Sequence, residues 1–198
     1  LKNRDVPFSE TYAAMQALRF MWKYSEGRIE KSRLRASMRI LLDRPELADL
    51  VIADLARWKD WEVQDRLMAL YIQALASAPA KEEPANDAPT AEVASKDKPG
   101  KTKVVPKRDV YQAMWKEAFG DKKWEGAGSQ GDAFNVPSIK RAIVRYMLVS
   151  TKDVPDEATS GEDSVIPEHA TKGKKYVDML RKLDEKTVAQ AERFFFLK

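Results

Sequence analysis

A glycine-rich stretch is the first pattern in this chain whose residue types suggest chemistry. Residues 126–131 read Gly-Ala-Gly-Ser-Gln-Gly, the letters of a dinucleotide-binding turn, in which backbone N–H groups approach a pyrophosphate. That chemistry requires a strand before the turn and a helix directly after it. Here a loop containing Trp124 precedes the motif, and residues 100–102 (Gly-Lys-Thr) lack the earlier glycine of a phosphate-binding loop. We therefore interpret the stretch as a flexible loop and expect no nucleotide site.

The single histidine and the paired carboxylates are the remaining candidates for acid–base catalysis. A general base needs a positioned partner and a pocket, whereas His169 lies in a polar stretch. The paired acids, at 82–83 and 162–163, fall in low-complexity segments, which do not hold side chains rigidly. The absence of cysteine excludes thiolate nucleophiles, disulfides and Cys-based zinc sites. We expect His169 to lie on the surface, and we expect no catalytic residue, no metal, no cofactor and no enzymatic activity.

A basic run over residues 96–108 is the pattern best suited to binding a macromolecule. Its cations include Lys101, Lys103, Lys107 and Arg108. Extended cationic segments follow phosphates or lie on acidic protein surfaces. The run has no aromatic residue for base stacking, and the whole chain of 198 residues carries 35 basic against 31 acidic residues. We favour an acidic protein surface as its partner, with RNA and a plain solvated linker as alternatives.

Two aromatic positions are candidate anchors for a partner. Trp124 stands in the glycine-rich loop beside Lys122 and Lys123, and an aromatic residue next to cations is typical of interface anchors. Residues 194–196 are three successive phenylalanines, whose directions on a helix differ by about 100°. One core cannot bury all three, so we expect Phe195 or Phe196 to contact a partner.

The long segment 79–108 divides the chain. It is rich in Ala, Pro, Lys and Glu and poor in large apolar groups, so it buries too little surface to offset the entropy of ordering. We expect it to become ordered only against another molecule. The predicted organisation is an N-terminal four-helix unit (1–78), this linker (79–108) and a C-terminal helical unit (109–198) with inserted loops at 120–136 and 152–173.

Apolar residues recur at helical spacing on both sides of the linker, and no stretch alternates with a period of two. The predicted fold class is all-α, built from antiparallel helical hairpins. The predicted helices span 9–24, 29–42, 46–58, 61–76, 109–119, 137–150, 174–183 and 185–197.

Local signals predict where several of these helices begin and which faces they bury. Ser9 and Asp60 are predicted N-caps, and Pro45 and Pro137 are predicted to open helices, because proline suits a first turn. In the first helix the predicted apolar face comprises Tyr12, Met15, Leu18, Phe20, Met21 and Trp22.

Two junctions resemble those of pentatricopeptide-like helical repeats, which stack hairpins of about 35 residues into a superhelix. Residues 27–32 (Gly-Arg-Ile-Glu-Lys-Ser) resemble the turn inside such a hairpin. Residues 142–146 (Ala-Ile-Val-Arg-Tyr) and 154–159 (Val-Pro-Asp-Glu-Ala-Thr) resemble the junction between repeats. The registers differ from the family pattern, so no base-reading position is carried over.

The layout of degenerate hairpins with an inserted polar loop is also similar to that of accessory subunits on the catalytic head of euglenozoan mitochondrial ATP synthase. This resemblance implies a noncatalytic structural subunit bound to the α subunit. A chain that begins at Leu1 and not at Met fits removal of a targeting peptide or numbering from the first ordered residue. We accordingly expect the mitochondrial matrix or the matrix face of the inner membrane.

Other assemblies fit the same sequence. An RNA-associated helical-repeat protein or mitochondrial ribosomal protein is the first alternative, and a helical capsid or nucleocapsid protein is the second. No apolar run approaches the roughly 18 to 20 residues of a membrane span, so we expect none. In every case the expected partners are other subunits of a large complex, with RNA as the less favoured partner.

Overall fold

The structure, a computed structural model, describes residues 5–77, 108–123, 129–154 and 166–195. Of these residues 83% are helical and none lies in a strand, which confirms the all-α prediction. None of the described helices has the length and apolar character needed to cross a membrane. The described helices are α1 (Phe8–Tyr24), α2 (Lys31–Ile40), α3 (Pro45–Arg57), α4 (Gln64–Ser77), α5 (Arg108–Phe119), α6 (Ser129–Phe134), α7 (Pro137–Lys152), α8 (Glu168–Leu183) and α9 (Glu185–Phe195). Short 3-10 turns at Leu41–Asp43 and Trp61–Val63 precede α3 and α4.

Proline positions were predicted correctly, and the two predicted caps were not. Pro45 and Pro137 occupy first helical positions, as their fixed φ favours. α1 begins at Phe8, one residue before the expected cap Ser9, and no side chain caps it. Asp60 makes no cap hydrogen bond, because its carboxylate accepts hydrogen bonds from Arg39 instead.

The predicted loops at 120–136 and 152–173 are partly helical. α6 lies inside the first, and α8 begins at Glu168, six residues before the predicted start at 174. Each of these two segments contains a glycine, Gly131 or Gly173, that a sequence pattern interprets as a helix breaker. In the structure each glycine lies where two helices contact one another. A Cβ on Gly131 would lie 2.8 Å from the backbone oxygen of Gln73 in α4, and one on Gly173 would lie 2.2 Å from Ser150 Oγ in α7. Absence of a side chain lets these helices approach closely.

Two helices organise the packing. α7 contacts α3, α8 and α9, while α4 contacts α5, α6, α7 and α8. α3 packs mainly against α7, which departs from the expected pairing of consecutive helices at that point. One hydrophobic cluster includes residues from both sides of the segment 79–108. The division into two units therefore stays a prediction about chain organisation, and the described helices share one core.

Candidate protein-binding surfaces

One side of α1 carries four large aromatic side chains that the fold leaves exposed. We call Phe8, Tyr12, Phe20 and Tyr24 the aromatic ridge; their exposed fractions are 53%, 37%, 64% and 55%. Members four residues apart stand one above another on a helix and form a ridge of the kind that packs against a second helix. The ring centroids of Phe8 and Tyr12 are 5.7 Å apart, and those of Phe20 and Tyr24 are 4.8 Å apart.

The ridge is exposed because α1 lies at the edge of the fold. Only Thr11, Met15 and Leu18 of its 17 residues are buried, and α1 contacts α2 and, less extensively, α3. The prediction that Tyr12 and Phe20 face the core is therefore wrong. Met15 and Leu18 belong to the hydrophobic core, whereas the aromatic side chains of the ridge lie on other sides of the helix and stay exposed.

The C-terminal half of α1 is nevertheless fixed to the fold. The Arg19 guanidinium contacts the buried carboxylate of Asp54 in α3 at 2.6 Å. The ring of Trp22 stacks on Trp58 with centroids 4.2 Å apart, and the Arg35 guanidinium lies over Trp22, 5.6 Å from its centroid. Stacked rings and cation–π contacts of this kind orient side chains as well as stabilise them. α1 thus holds the aromatic ridge in a defined direction.

A second surface feature is an open groove of about 680 Å³ between α3 and α7, here called the α3–α7 groove. Its sides carry three cations and one acid: Arg57, Arg141, Arg145 and Asp49. The small or apolar members of the lining, here called the floor, are Leu50, Ala53, Ala56, Ala142, Tyr146 and Val149; Ser138 also lines the groove. Leu50 is 38% exposed in this groove.

A third feature is a pocket of about 350 Å³ beside His169, lined also by Lys59, Trp61 and Gln64. His169 is not the surface residue that the sequence suggested. It lies in the first turn of α8, half-buried, with its ring stacked on Trp61 at 5.6 Å between centroids. Its Nε2 lies 2.8 Å from the backbone oxygen of Asp153.

Asp153 connects this pocket to the rest of the fold. Its carboxylate accepts hydrogen bonds from Lys59 Nζ and, at 2.7 Å, from Trp61 Nε1. Burial acts to raise the pKa of Asp153, but these two hydrogen bonds and the charges of Lys59 and His169 outweigh it and hold the pKa below its ordinary value. The hydrogen bonds from Lys59 and Trp61 therefore favour the ionised carboxylate of Asp153.

The polar groups around this pocket act mainly as links between helices. Gln64 Nε2 donates to Ser150 Oγ at 2.9 Å and to the backbone oxygen of His169 at 2.8 Å, which joins α4, α7 and α8. The Ser150 hydroxyl is fully buried and donates to the backbone oxygen of Met147 at 2.7 Å. A hydroxyl engaged in this way is not positioned as a nucleophile for His169.

Three tyrosine hydroxyls make further long-range links. Tyr146 donates to the backbone oxygen of Asp60; in addition, Tyr71 donates to Asp184 at 3.1 Å and Tyr176 to Asp65 at 2.8 Å. Burial, reinforced by the neighbouring carboxylates, raises the pKa of all three hydroxyls, so they remain protonated donors. These hydrogen bonds link the central helices α4, α7 and α8 to distant parts of the chain.

The partner-binding residues predicted from sequence are not assembled into one site by the described structure. Lys122 and Lys123 are exposed directly after α5; the backbone oxygen of Lys122 accepts from Trp115 Nε1 at 2.8 Å, and its Nζ lies 5.9 Å from the centroid of Phe119. Arg108 begins α5 and Phe195 ends α9, and both side chains lie outside the described part. The other predicted contacts lie outside the described residues: Trp124, Phe196, Lys101, Lys103 and Lys107.

Both surfaces that the structure adds, the aromatic ridge and the α3–α7 groove, were missed by sequence reasoning. The consecutive apolar residues 20–22 carried a signal for the first, since three neighbours on a helix cannot face one core. The α3–α7 groove depends on which helix packs beside α3, and no local sequence pattern specifies that neighbour. Comparison of the chain with protein-family models, with curated proteins and with solved structures gave no match, so these surfaces stand on their own geometry.

Proposed function

We propose that this chain is a noncatalytic structural subunit that binds other proteins within a large assembly. The observation that carries the proposal is the aromatic ridge, whose side chains are between 37% and 64% exposed on a helix whose C-terminal half is fixed to the fold. Aromatic residues are enriched at the centres of protein interfaces, because they bury a large area with few rotatable bonds. A partner that covers the ridge would remove apolar surface from water without reordering α1.

The mitochondrial ATP synthase is the assembly that we propose, with the α subunit of its catalytic head as the neighbour. This choice comes from the sequence layout, in which degenerate hairpins carry an inserted polar segment. Such a subunit would lie in the matrix or at the matrix face of the inner membrane. The aromatic ridge supplies a surface for contact, and the basic run at 96–108 supplies cations for an acidic neighbour.

The proposal is tested on the assembly itself. An affinity-tagged copy is expressed in the source cells, mitochondria are solubilised, and the complexes are separated on native gels and crosslinked for mass spectrometry. We expect the chain to migrate with ATP synthase and to crosslink to the α subunit. We expect a variant with Phe20→Ser and Tyr24→Ser to migrate free of the complex while its circular dichroism stays unchanged, because both side chains are mostly exposed.

Ile166→Ser is the matched control, since Ile166 is a large apolar residue of similar exposure, 57%, located before α8. It should remain in the complex. Migration with ribosomes would support the RNA-associated alternative, and self-assembly of the purified chain would support the capsid alternative; either result contradicts the ATP synthase assignment. If the Phe20→Ser, Tyr24→Ser variant stays in the complex, the aromatic ridge is not part of the interface.

A further inference from the structure

The α3–α7 groove has the dimensions of a site for one helix. Its lining on α7 runs from Ser138 to Val149, a distance of about 16 Å at the helical rise of 1.5 Å per residue. That length accommodates about three turns of a partner helix. The floor includes Ala53, Ala56 and Ala142, and side chains of this size let a helix backbone lie close to the groove.

The charges of the groove select the partner. The charged residues of the lining are Arg57, Arg141, Arg145 and Asp49, so the lining carries a net charge of +2; Arg57 also pairs with Asp54 beside the groove at 3.0 Å. Asp49 already accepts a hydrogen bond from the backbone N–H of Leu50 at 2.9 Å. Arg141 is half-buried and makes no hydrogen bond or ion pair with any described residue, which leaves its donors available to an incoming carboxylate.

The floor argues for a helix rather than for nucleic acid. Phosphate backbones are held by cations and bases by stacking on open aromatic faces. The one aromatic side chain in this lining, Tyr146, is 1% exposed and its hydroxyl is bound to the backbone oxygen of Asp60. An apolar floor with Leu50 exposed at 38% matches instead the apolar face of an amphipathic helix.

We propose that the α3–α7 groove binds an amphipathic helix of a partner protein, with the apolar face on the groove floor and Glu or Asp residues on its flanks beside Arg57, Arg141 and Arg145. This inference rests on the proposed protein-binding function and specifies the chemistry of one partner segment. It concerns a different surface from the aromatic ridge, so the two can be tested separately.

The test uses the full chain and three fluorescent, lactam-bridged helical peptides of about 18 residues. All three carry the same Leu stripe, and their flanks carry Glu, Gln or Lys. Fluorescence anisotropy is expected to rank the affinities Glu first, Gln second and Lys last. Arg141→Glu should weaken the Glu peptide at least about tenfold, because it replaces an attractive pair by a repulsive one, and should strengthen the Lys peptide.

Leu50→Gln is the second variant and changes the lining contributed by α3, whereas Arg141 lies on α7. It should weaken all three peptides by a similar factor, because it changes the apolar floor and not the charge. Arg33→Glu is the control, since Arg33 is exposed on α2, lies outside the groove lining and undergoes the same charge change as Arg141. At a salt concentration that screens long-range charge effects, Arg33→Glu should change the affinity for the Glu peptide by no more than about twofold relative to the unmodified chain.

Equal affinities for the three peptides, or an Arg141→Glu variant that binds the Glu peptide normally, would overturn the inference. Binding of a 20-nucleotide RNA that Arg141→Glu abolishes, without binding of the Glu peptide, would reassign the groove to nucleic acid. Self-association of the chain that Arg141→Glu abolishes would reassign it to a second copy. If the peptides fail to bind the groove while the chain still stays in the native complex through the aromatic ridge, that pair of results refutes the groove proposal alone and leaves the proposed function intact.

Discussion

Two helices of similar length, α1 and α7, use their apolar residues in different ways. α1 buries three of its 17 residues and leaves four aromatic side chains exposed, whereas α7 buries seven of its 16 residues among α3, α8 and α9. Helical spacing of apolar residues is present in both. The comparison shows that spacing specifies a helix, while the number of neighbours decides which apolar residues become core. The excess on α1 is the surface that we assign to a partner.

Polar links show the same contrast. α7 is joined to distant parts of the chain through Tyr146, Ser150 and Asp153, whose partners lie between residues 59 and 64. α1 has one ion pair with another helix, between Arg19 and Asp54, which are only 35 residues apart in the chain.

Truncation of a core residue in α7 should cost far more than truncation of a larger residue on α1. Met147→Ala removes a side chain that is fully buried and should lower the free energy of unfolding by about 2 to 5 kcal/mol. Phe20→Ala, at a site 64% exposed, should change it by about 0.5 kcal/mol or less. Urea denaturation followed by circular dichroism measures both. Similar losses for the two variants would contradict the assignment of α1 to the edge.

Arg39 pairs with one buried and one exposed carboxylate. Removal of the buried carboxylate should lower the free energy of unfolding more than removal of the exposed one. Arg39 donates through Nε and Nη2 to Asp60, which is 1% exposed, and through Nη1 to Glu62, which is 77% exposed at the side chain. The hydrogen bond to Asp60 contributes most to raising the pKa of Arg39 above its ordinary value.

We therefore expect Asp60→Ala to cost about 2 to 4 kcal/mol and Glu62→Ala less than about 1 kcal/mol. Chemical denaturation at neutral pH distinguishes the two. Equal costs would show that the ion pair contributes no more in the interior than at the surface.

Addition of one methyl group at the contact between α7 and α8 should be destabilising. Gly173→Ala places a Cβ 2.2 Å from Ser150 Oγ and 3.1 Å from the backbone oxygen of Met147, so the helices must shift. We expect a loss of about 1 to 2 kcal/mol, even though alanine favours a helix more than glycine does. Ser150→Ala removes the nearest atom, so the double variant should lose less than the sum of the single losses in a thermal-melt cycle. Strict additivity would contradict this contact.

The smallest effect concerns acid stability. Because the pKa of Asp153 is lower in the folded chain than its ordinary value, its ionised form stabilises the fold above that ordinary value. The contribution is lost as the pH falls through the folded pKa. Between about pH 5 and about pH 3, Asp153→Asn should therefore lose less stability than the unmodified chain. Asp178→Asn, an exposed carboxylate paired with Arg181 on α8, serves as the control in urea titrations at both pH values.

Much of the fold was predictable because its determinants are local. Pro45 and Pro137 mark helix starts through their fixed φ, and Leu34, Met38 and Leu41 follow the helical period and are buried. The separation of α8 from α9 near residue 184 also follows from local pattern.

Features that depend on tertiary contacts were not predictable in this way. His169 lies in a polar stretch, and its stacking on Trp61 arises only when α8 packs beside the turn before α4. Gly131 and Gly173 read as loop residues, because a glycine that permits helix contact has the same local signature as one that ends a helix. The α3–α7 groove likewise exists because α3 packs on a helix 80 residues further along the chain.

The tyrosine and glutamine links have a consequence for the synthesis of this protein. Asp60, Gln64, Asp65 and Tyr71 find their partners between residues 146 and 184, about 85 to 115 positions later in the chain. A ribosome that adds 5 to 20 residues per second releases α4 roughly 4 to 15 s before α7 is complete. During that interval the apolar faces of α3 and α4 that pack against α7 and α8 in the folded chain emerge without those helices to cover them. We expect the nascent chain to bind chaperones at the ribosome, and we expect folding to finish only after α8 has been synthesised.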